Sequence, residues 1–550
     1  MRTPLPLVLA LALVWASPAR AELTAEDRLQ ALYSPMFAFS ADNVPIVRVG
    51  LVSGASEVRL ETHGAVRVSA ADAGGLEWWL DRPASLRVVS RSGTPAVVRH
   101  TVVVETLHAG DFEALRARTE AWQKLGYPVK AVEKGRVFGY FGKMFDNRRV
   151  ELVVDRTFET REQARKLVTE IATTTPGEYG VRTVLEHLPS GEMEVFIEGV
   201  PGSLRSTSVF SLEPRDGTGI TVKGVQYGKG FAWDKREDVA FDGEIYVTFG
   251  RDGKLVAANT VDAETLLKGV VAGEIFANAP TEALKTQAVT ARGEILSKIG
   301  LRHEADPFHI CADVDCQVYK GRSGRNAAID GAVDATRGEM IFARGALVQA
   351  YYHSDSGGFT EANENAWTDQ DPDPALRCTP DLPTVPAGFE DGVPPDRVAE
   401  WLDHAPRTWS SELPQAKNTF RWTRTVARRD VEAALPAALK SPAGARLEKL
   451  EVTKRGCSGR VIAMTLTVGG KDYPVEGELT LRKLLGGKDA LRSSLFLVDL
   501  AGDTLAFRGG GFGHGVGMSQ MGAIGRAKAG HGYKQILGAY YLGSDVQKIY

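Results

Sequence analysis

Cysteine is scarce in this chain: four residues among 550, at positions 311, 316, 378 and 457. Cross-links at that density cannot hold so long a chain together, so buried apolar surface must do so. An excess of either charge is also lacking. The 66 Lys and Arg stand against 69 Asp and Glu, a formal net charge of −3, which argues against nucleic acid as a partner because that role demands a basic balance. Past residue 21 no apolar run is long enough to cross a bilayer, so an integral membrane protein is not expected. Internal repeats and coiled-coil heptads are missing too, which excludes solenoids and long rods.

What is there begins with a leader. Met1 to Ala21 carries one early basic residue, Arg2, an apolar stretch from Leu5 to Trp15, and the triplet Ala19-Arg20-Ala21. Small residues flanking the last position suit cleavage after a secretory signal peptide. No Cys follows for a lipid anchor. The expected location is the periplasm or the outer cell envelope, where disulfides can form.

The length predicts several domains and the patterning predicts a multidomain α+β fold. From Val47 to Leu107, the runs VRVGLV, EVRLETH, AVRVSA, SLRVVS and VVRHTVVVE alternate as half-buried strands do, which predicts a small β-rich domain over 47–107. Residues 108–195 then carry two helical stretches, FEALRARTEAWQKLG and TREQARKLVTEIATT, set between strands. The βαββα order, with Leu-Gly-Tyr-Pro after the first helix, loosely resembles the SPOR module that binds peptidoglycan strands stripped of stem peptides. A structural spacer fits the same pattern. A third domain is expected over 196–550, interrupted at about 371–436 by a Pro-rich segment that reads as a surface excursion.

In that third domain Asp262 is a natural N-cap for AETLLKGVVAGE, and Leu267, Val270 and Val271 line one helical face. Glu264 and Lys268, four apart on the polar side, are spaced to pair in water. Glu274 continues the apolar stripe. A carboxylate there is either at a frayed, solvated end or is a general acid whose pKa desolvation raises. The next helix is expected to begin at Pro280 (N1) and Glu282 (N3) and to pack through Leu284, Ala288, Ala291 and Ile295.

Three polar patches accompany these helices. In DPFHICADVDCQVYKG, His309, Cys311 and Cys316 offer three zinc ligands, while a Cys311–Cys316 disulfide is the plainer reading and the one preferred. In AYYHSDSGGFTEANENAW, Ser354, Ser356 and Thr360 lie in a Gly-rich loop; the strand-to-helix elbow of a serine hydrolase is absent, and these hydroxyls suit contacts to sugar hydroxyls or N-acetyl groups at least as well. The third patch, GGGFGHGVGMSQMGA at 509–523, has seven glycines around His514, Ser519 and Gln520. Such density permits a close approach of backbone to ligand or to backbone.

Residues 266–295, LLKGVVAGEIFANAPTEALKTQAVTARGEI, resemble the defining segment of the SpoIID/LytB family of bacterial cell-wall proteins, with Thr286 and Thr290 where Ala is usual. CQVYKG, SDSGGFT and the glycine-rich C-terminal run resemble further blocks of that family, so the likeness covers about 240–362 and 448–550. It implies that Glu274 is the catalytic glutamate of a peptidoglycan lytic transglycosylase, cutting glycan strands without stem peptides and needing no cofactor beyond a possible structural zinc. It also implies that Gln317, Tyr319, Ser354, Ser356, Thr360, His514, Ser519 and Gln520 line the substrate cleft. The LytB side of the family implies an alternative: a non-catalytic glycan binder that enhances a cell-wall amidase.

Overall fold

The computed structural model describes residues 24–550 except 71–76, 141–142, 176, 178, 216, 231–233, 369 and 405; the expected leader, Met1 to Ala21, lies outside the described residues. The protein is a multidomain α+β structure.

Two sheets build its largest core. In the first, Pro45–Ala55, Leu255–Asp262, Glu244–Phe249, Val209–Pro214, Val66–Ala70 and Glu77–Leu80 follow one another as antiparallel neighbours. The second runs Leu204–Ser206, Ser190–Ile197, Ser85–Thr94, Glu57–Thr62, Ile220–Tyr227 and Lys235–Phe241. Alternation sends Val66, Val68, Val58, Leu60, Leu212 and Val222 into one shared cluster. The β-rich region 47–107 is therefore not a separate domain. Its strands up to Thr94 complete both sheets with partners from 190–262, and its last strand, Val97–His108, joins a third sheet, because alternation fixes which face of a strand is buried but not which distant strand covers its edge.

Between these halves lies a four-stranded antiparallel sheet, Gly180–His187, Val97–His108, Arg149–Val154 and Val129–Lys134. The helices Phe112–Lys124 and Arg161–Thr174 close over its own core of Val102, Trp122, Leu152, Ala164 and Ile171. Lys134 and Arg182 pair with Glu304 to fasten it to the rest of the chain, and Asn147 adds a cap. Asn147, 6% exposed, donates through Nδ2 to the carbonyls of Leu296, Ser297 and Ile299, at 3.4, 2.8 and 3.0 Å, and so caps the end of the long helix Thr281–Lys298.

The helix Ala263–Glu274 starts as its sequence requires, with Asp262 accepting from the amides of Glu264 and Thr265, both at 3.0 Å. Its polar side differs from expectation. Glu264 is buried against Arg292, and Lys268 pairs with Asp334 instead. Pro280 is the N-cap of the following helix rather than its first residue. That helix is buried along most of its length, and the hydroxyls of Thr286 and Thr290 donate back to the carbonyls of Glu282 (2.6 Å) and Thr286 (3.0 Å). A hydroxyl satisfied within its own helix can replace Ala in a core.

After residue 420 the chain forms two three-stranded sheets around Trp422, Val426, Leu447, Leu466, Leu481 and Phe507. The Pro-rich segment is irregular, yet it is not a surface excursion. Phe389, Val393, Val398 and Trp401 pack with Phe359 and Leu495, and a Cys378–Cys457 disulfide with a Cα separation of 6.2 Å ties it to the turn between the later strands Leu447–Arg455 and Val461–Val468. The bond expected between Cys311 and Cys316 is absent. Both are free thiols.

Candidate active site

Glu274 ends its helix, part-buried, with Oε1 accepting from the Val318 amide at 3.1 Å. Two glycines one turn apart make this contact possible. A Cβ at Gly269 would meet the Gly321 carbonyl and the Tyr319 ring at 2.5 and 2.6 Å, and one at Gly273 would meet the Val318 carbonyl at 2.9 Å. With both side chains missing, the loop through 318–321 lies directly on the helix and delivers its amide to the carboxyl.

Desolvation by the surrounding side chains raises the Glu274 pKa to about 7, against the smaller opposing pull of the Val318 amide, the Lys298 charge and the Tyr352 hydroxyl. Lys298 is held in place by Glu294 (2.7 Å) and by the Cys316 carbonyl, to which it donates at 2.6 Å. Gln520 braces the helix end, donating from Nε2 to the Glu274 carbonyl at 2.8 Å and to Gln287 Oε1 at 3.1 Å. A carboxyl with this pKa carries its proton near neutrality and can also surrender it.

The raised pKa has a measurable cost. Folded protein holds this proton between the ordinary glutamate pKa of 4.5 and about 7, where the unfolded chain has lost it, so the group withdraws stability as pH rises through that window. Glu274→Gln removes the penalty. The variant is expected to melt higher than the parent at pH 8 and equally at pH 4.5 in differential scanning fluorimetry; identical differences at both would contradict a buried, reluctant acid.

Several expected sugar contacts prove to be framework. Ser356 is fully buried, donating to Asp381 Oδ2 at 2.8 Å, and Thr360 shares a 2.8 Å bond with Thr379. Ser519 caps the helix Gln520–Lys528 and also accepts from the Ser356 amide. Tyr319, 2% exposed, donates to Asn259 Oδ1 at 3.0 Å, while Gln317 and Gln520 are buried. Ser354 and His514 stay part-exposed. Burial pushes His514 down to about 3, so it is neutral, and its Nδ1 accepts from the Val516 amide at 3.1 Å. Residue type alone cannot separate a hydroxyl that faces solvent from one that ties loops together.

The glycine-rich run likewise approaches protein, not open space. A Cβ at Gly515 would strike the Arg460 guanidinium, and one at Gly517, whose φ is +67°, the Tyr351 carbonyl. The run thereby brings Met518 and Ser519 alongside Tyr352 and His353 in a short parallel pairing. Three residues near Glu274 were not singled out from sequence: Tyr352, Lys298 and Glu294. Tyr352 adjoins the SDSGG element, whereas the other two look like ordinary helix-surface charges.

The candidate set for a metal also changes. His303 Nε2, Cys311 Sγ and Cys316 Sγ lie within 4.8 Å of one another, with His303 Nε2 at 3.2 Å from Cys316 Sγ. His309 stands apart, buried beside Phe37, its Nδ1 accepting from the Arg48 amide at 3.2 Å. Nδ1 of His303 meets Asp306 Oδ2 at 2.9 Å, the outer partner that commonly orients a metal-binding imidazole.

Residues 251–342, which hold Glu274, His303, Cys311 and Cys316, match the family model SpoIID, Stage II sporulation protein. Over that segment the chain is similar to the SpoIID family. A second model, a domain of unknown function (DUF8618), matches residues 407–517. The "Amidase enhancer" of Bacillus subtilis is 28% identical over 290 residues, 51% of this chain and 40% of the enhancer, so the match spans less than half of that relative. "Stage II sporulation protein D" of the same organism is 27% identical over 53% of this chain and 76% of its own length. An uncharacterised protein of Brachyspira hyodysenteriae is 24% identical over 62% of the chain and 83% of its own length. The SpoIID model ends before the SDSGG element and the glycine-rich run, yet Gln520 of that run donates to the Glu274 carbonyl, and Tyr352, two residues before the SDSGG element, reaches the Glu274 carboxyl.

Proposed function

We propose that the chain is a peptidoglycan lytic transglycosylase that cleaves N-acetylmuramic acid from N-acetylglucosamine in glycan strands lacking stem peptides. The observation that carries this reading is the Glu274 carboxyl, half-buried with a pKa of about 7. Protonated Glu274 donates to the glycosidic oxygen as the bond to muramoyl C1 breaks. The resulting carboxylate then takes the proton of the C6 hydroxyl as that oxygen bonds to C1, leaving a 1,6-anhydro end and restoring the acid. No water is consumed, and one carboxyl suffices where ordinary glycosidases need two. Glu294, the neighbouring carboxylate, is buried and committed to Lys298, which suits an electrostatic role better than activation of water.

The periplasm or the outer cell envelope is proposed for this activity, on the secretory leader read in Met1 to Ala21, and the segment 108–195 is proposed to help hold the strand in the manner of a SPOR module. His303, Cys311 and Cys316 fit a zinc ion, whose bound chemistry would be that of a structural clamp on the loop that presents the Val318 amide. Elemental analysis of purified protein is expected to find about one zinc per chain, lost in His303→Ala and kept in His309→Ala; the reverse pattern would return the site to His309.

A second reading is favoured by the relative named "Amidase enhancer". On it the chain binds glycan and stimulates a cell-wall amidase without cutting anything. Purified protein incubated alone with denuded glycan separates the two: anhydro-ended fragments in the mass spectrum support the transglycosylase, and binding without product supports the enhancer.

A further inference from the structure

A cavity of 320 Å³ lies where the four-stranded segment meets the long helix, and nothing in the chemistry above uses it. His108, Met144 and Arg149 line it from the segment, and Ser297, Leu301 and Gln349 from the long helix and the chain after it. Beside it Asn147 caps the helix end through three carbonyls. Arg149 is part-buried and, among the described residues, has no carboxylate within ion-pair distance. Among the described residues, the hydrogen-bond partner of its guanidinium is Nδ1 of His108, at 2.5 Å. Asp146, which also lines the cavity, is occupied by Arg148 at 3.0 and 2.7 Å, and Asp373 faces Arg149 only at longer range. A guanidinium retains donors for a planar anion in this setting. The remaining lining is apolar at Met144 and Leu301 and polar at Ser297 and Gln349, the mixture that a sugar ring with hydroxyl edges requires.

The cavity also shares chain with the surroundings of Glu274. Ser297 precedes Lys298, and the Gln349 carbonyl accepts from the Tyr351 amide, one residue before Tyr352. We propose that this cavity is a distal subsite for a carboxylate-bearing sugar, anchored by Arg149. Resting on the function proposed above, the ligand is a muramoyl residue of the same strand, held by its lactyl carboxylate.

The test is calorimetric binding of denuded glycan oligomers, native or with their carboxylates amidated, to full-length protein carrying Glu274→Gln so that no turnover intervenes. Amidation is expected to weaken binding about 10-fold or more. Adding Arg149→Met is expected to cost the same factor and abolish the response to amidation. Met144→Glu, at a rim position that is 61% exposed and so tolerant of change, is expected to weaken the native oligomer and spare the amidated one, which keeps the proposal testable should Arg149→Met misfold. Equal affinity for the two oligomers, an undiminished Arg149→Met variant, or no binding of either oligomer overturns the subsite. Lack of anhydro product from the parent protein with the carboxylate preference intact would overturn the transglycosylase alone.

Discussion

Glu274→Gln is expected to lower the release of 1,6-anhydro ends from denuded glycan by about 10²–10⁴-fold, the span typical of losing a general acid–base group. The isosteric amide can still accept from the Val318 amide, so loop and helix should stay joined and glycan affinity should change little. The loss should therefore appear in kcat, with KM nearly constant. In the parent protein the rate should fall as pH rises past about 7, because the proton required for leaving-group departure is then gone. Product mass spectrometry across a pH series checks both points. Undiminished anhydro ends from the variant would remove Glu274 from the mechanism, and a parent rate flat from pH 6 to 9 would remove its raised pKa.

The helix carrying this residue was legible because three local signals agree: an Asp cap, an apolar stripe and a carboxylate that prolongs the stripe. Pairing across the chain was not legible. Val66–Ala70 lies against Val209–Pro214, and no feature of VRVSA names that partner. The polar patches failed for a related reason. Ser356, Thr360 and Ser519 have the hydroxyls a sugar site needs, but those hydroxyls close buried loops around Asp381, Thr379 and the Ser356 amide. His309 drew attention by standing two residues from Cys311, whereas His303, eight residues away, is brought to the thiols by the intervening loop. The glycines announced close packing correctly and left its object open. At Gly269 and Gly273 that object is the loop which supplies the Val318 amide, so their effect on Glu274 is indirect.

The largest expected effect on stability comes from the ion pair beneath the same helix. Arg292 is 0% exposed and donates from Nε and Nη2 to both carboxylate oxygens of Glu264, at 2.8 and 2.7 Å; Glu264 also accepts from the Tyr550 hydroxyl at 2.7 Å and the Gly338 amide at 3.3 Å. Arg292→Met leaves that carboxylate buried without its cation, an error of about 3–5 kcal/mol. Replacing both partners, as Glu264→Leu with Arg292→Met, removes the charges together and should restore most of the loss, because the penalty lies in one stranded charge and not in the absence of the pair. Hydrogen exchange within Thr281–Lys298 is the suitable readout, since a multidomain chain need not unfold in a single step. The single variant should exchange far faster there while the four-stranded segment's own core around Trp122 is unchanged. Equal protection in parent and single variant would mean that the helix pair is held by its apolar contacts alone. The acid at Glu274 would then owe its position to packing, with no electrostatic anchor at the other end of its helix.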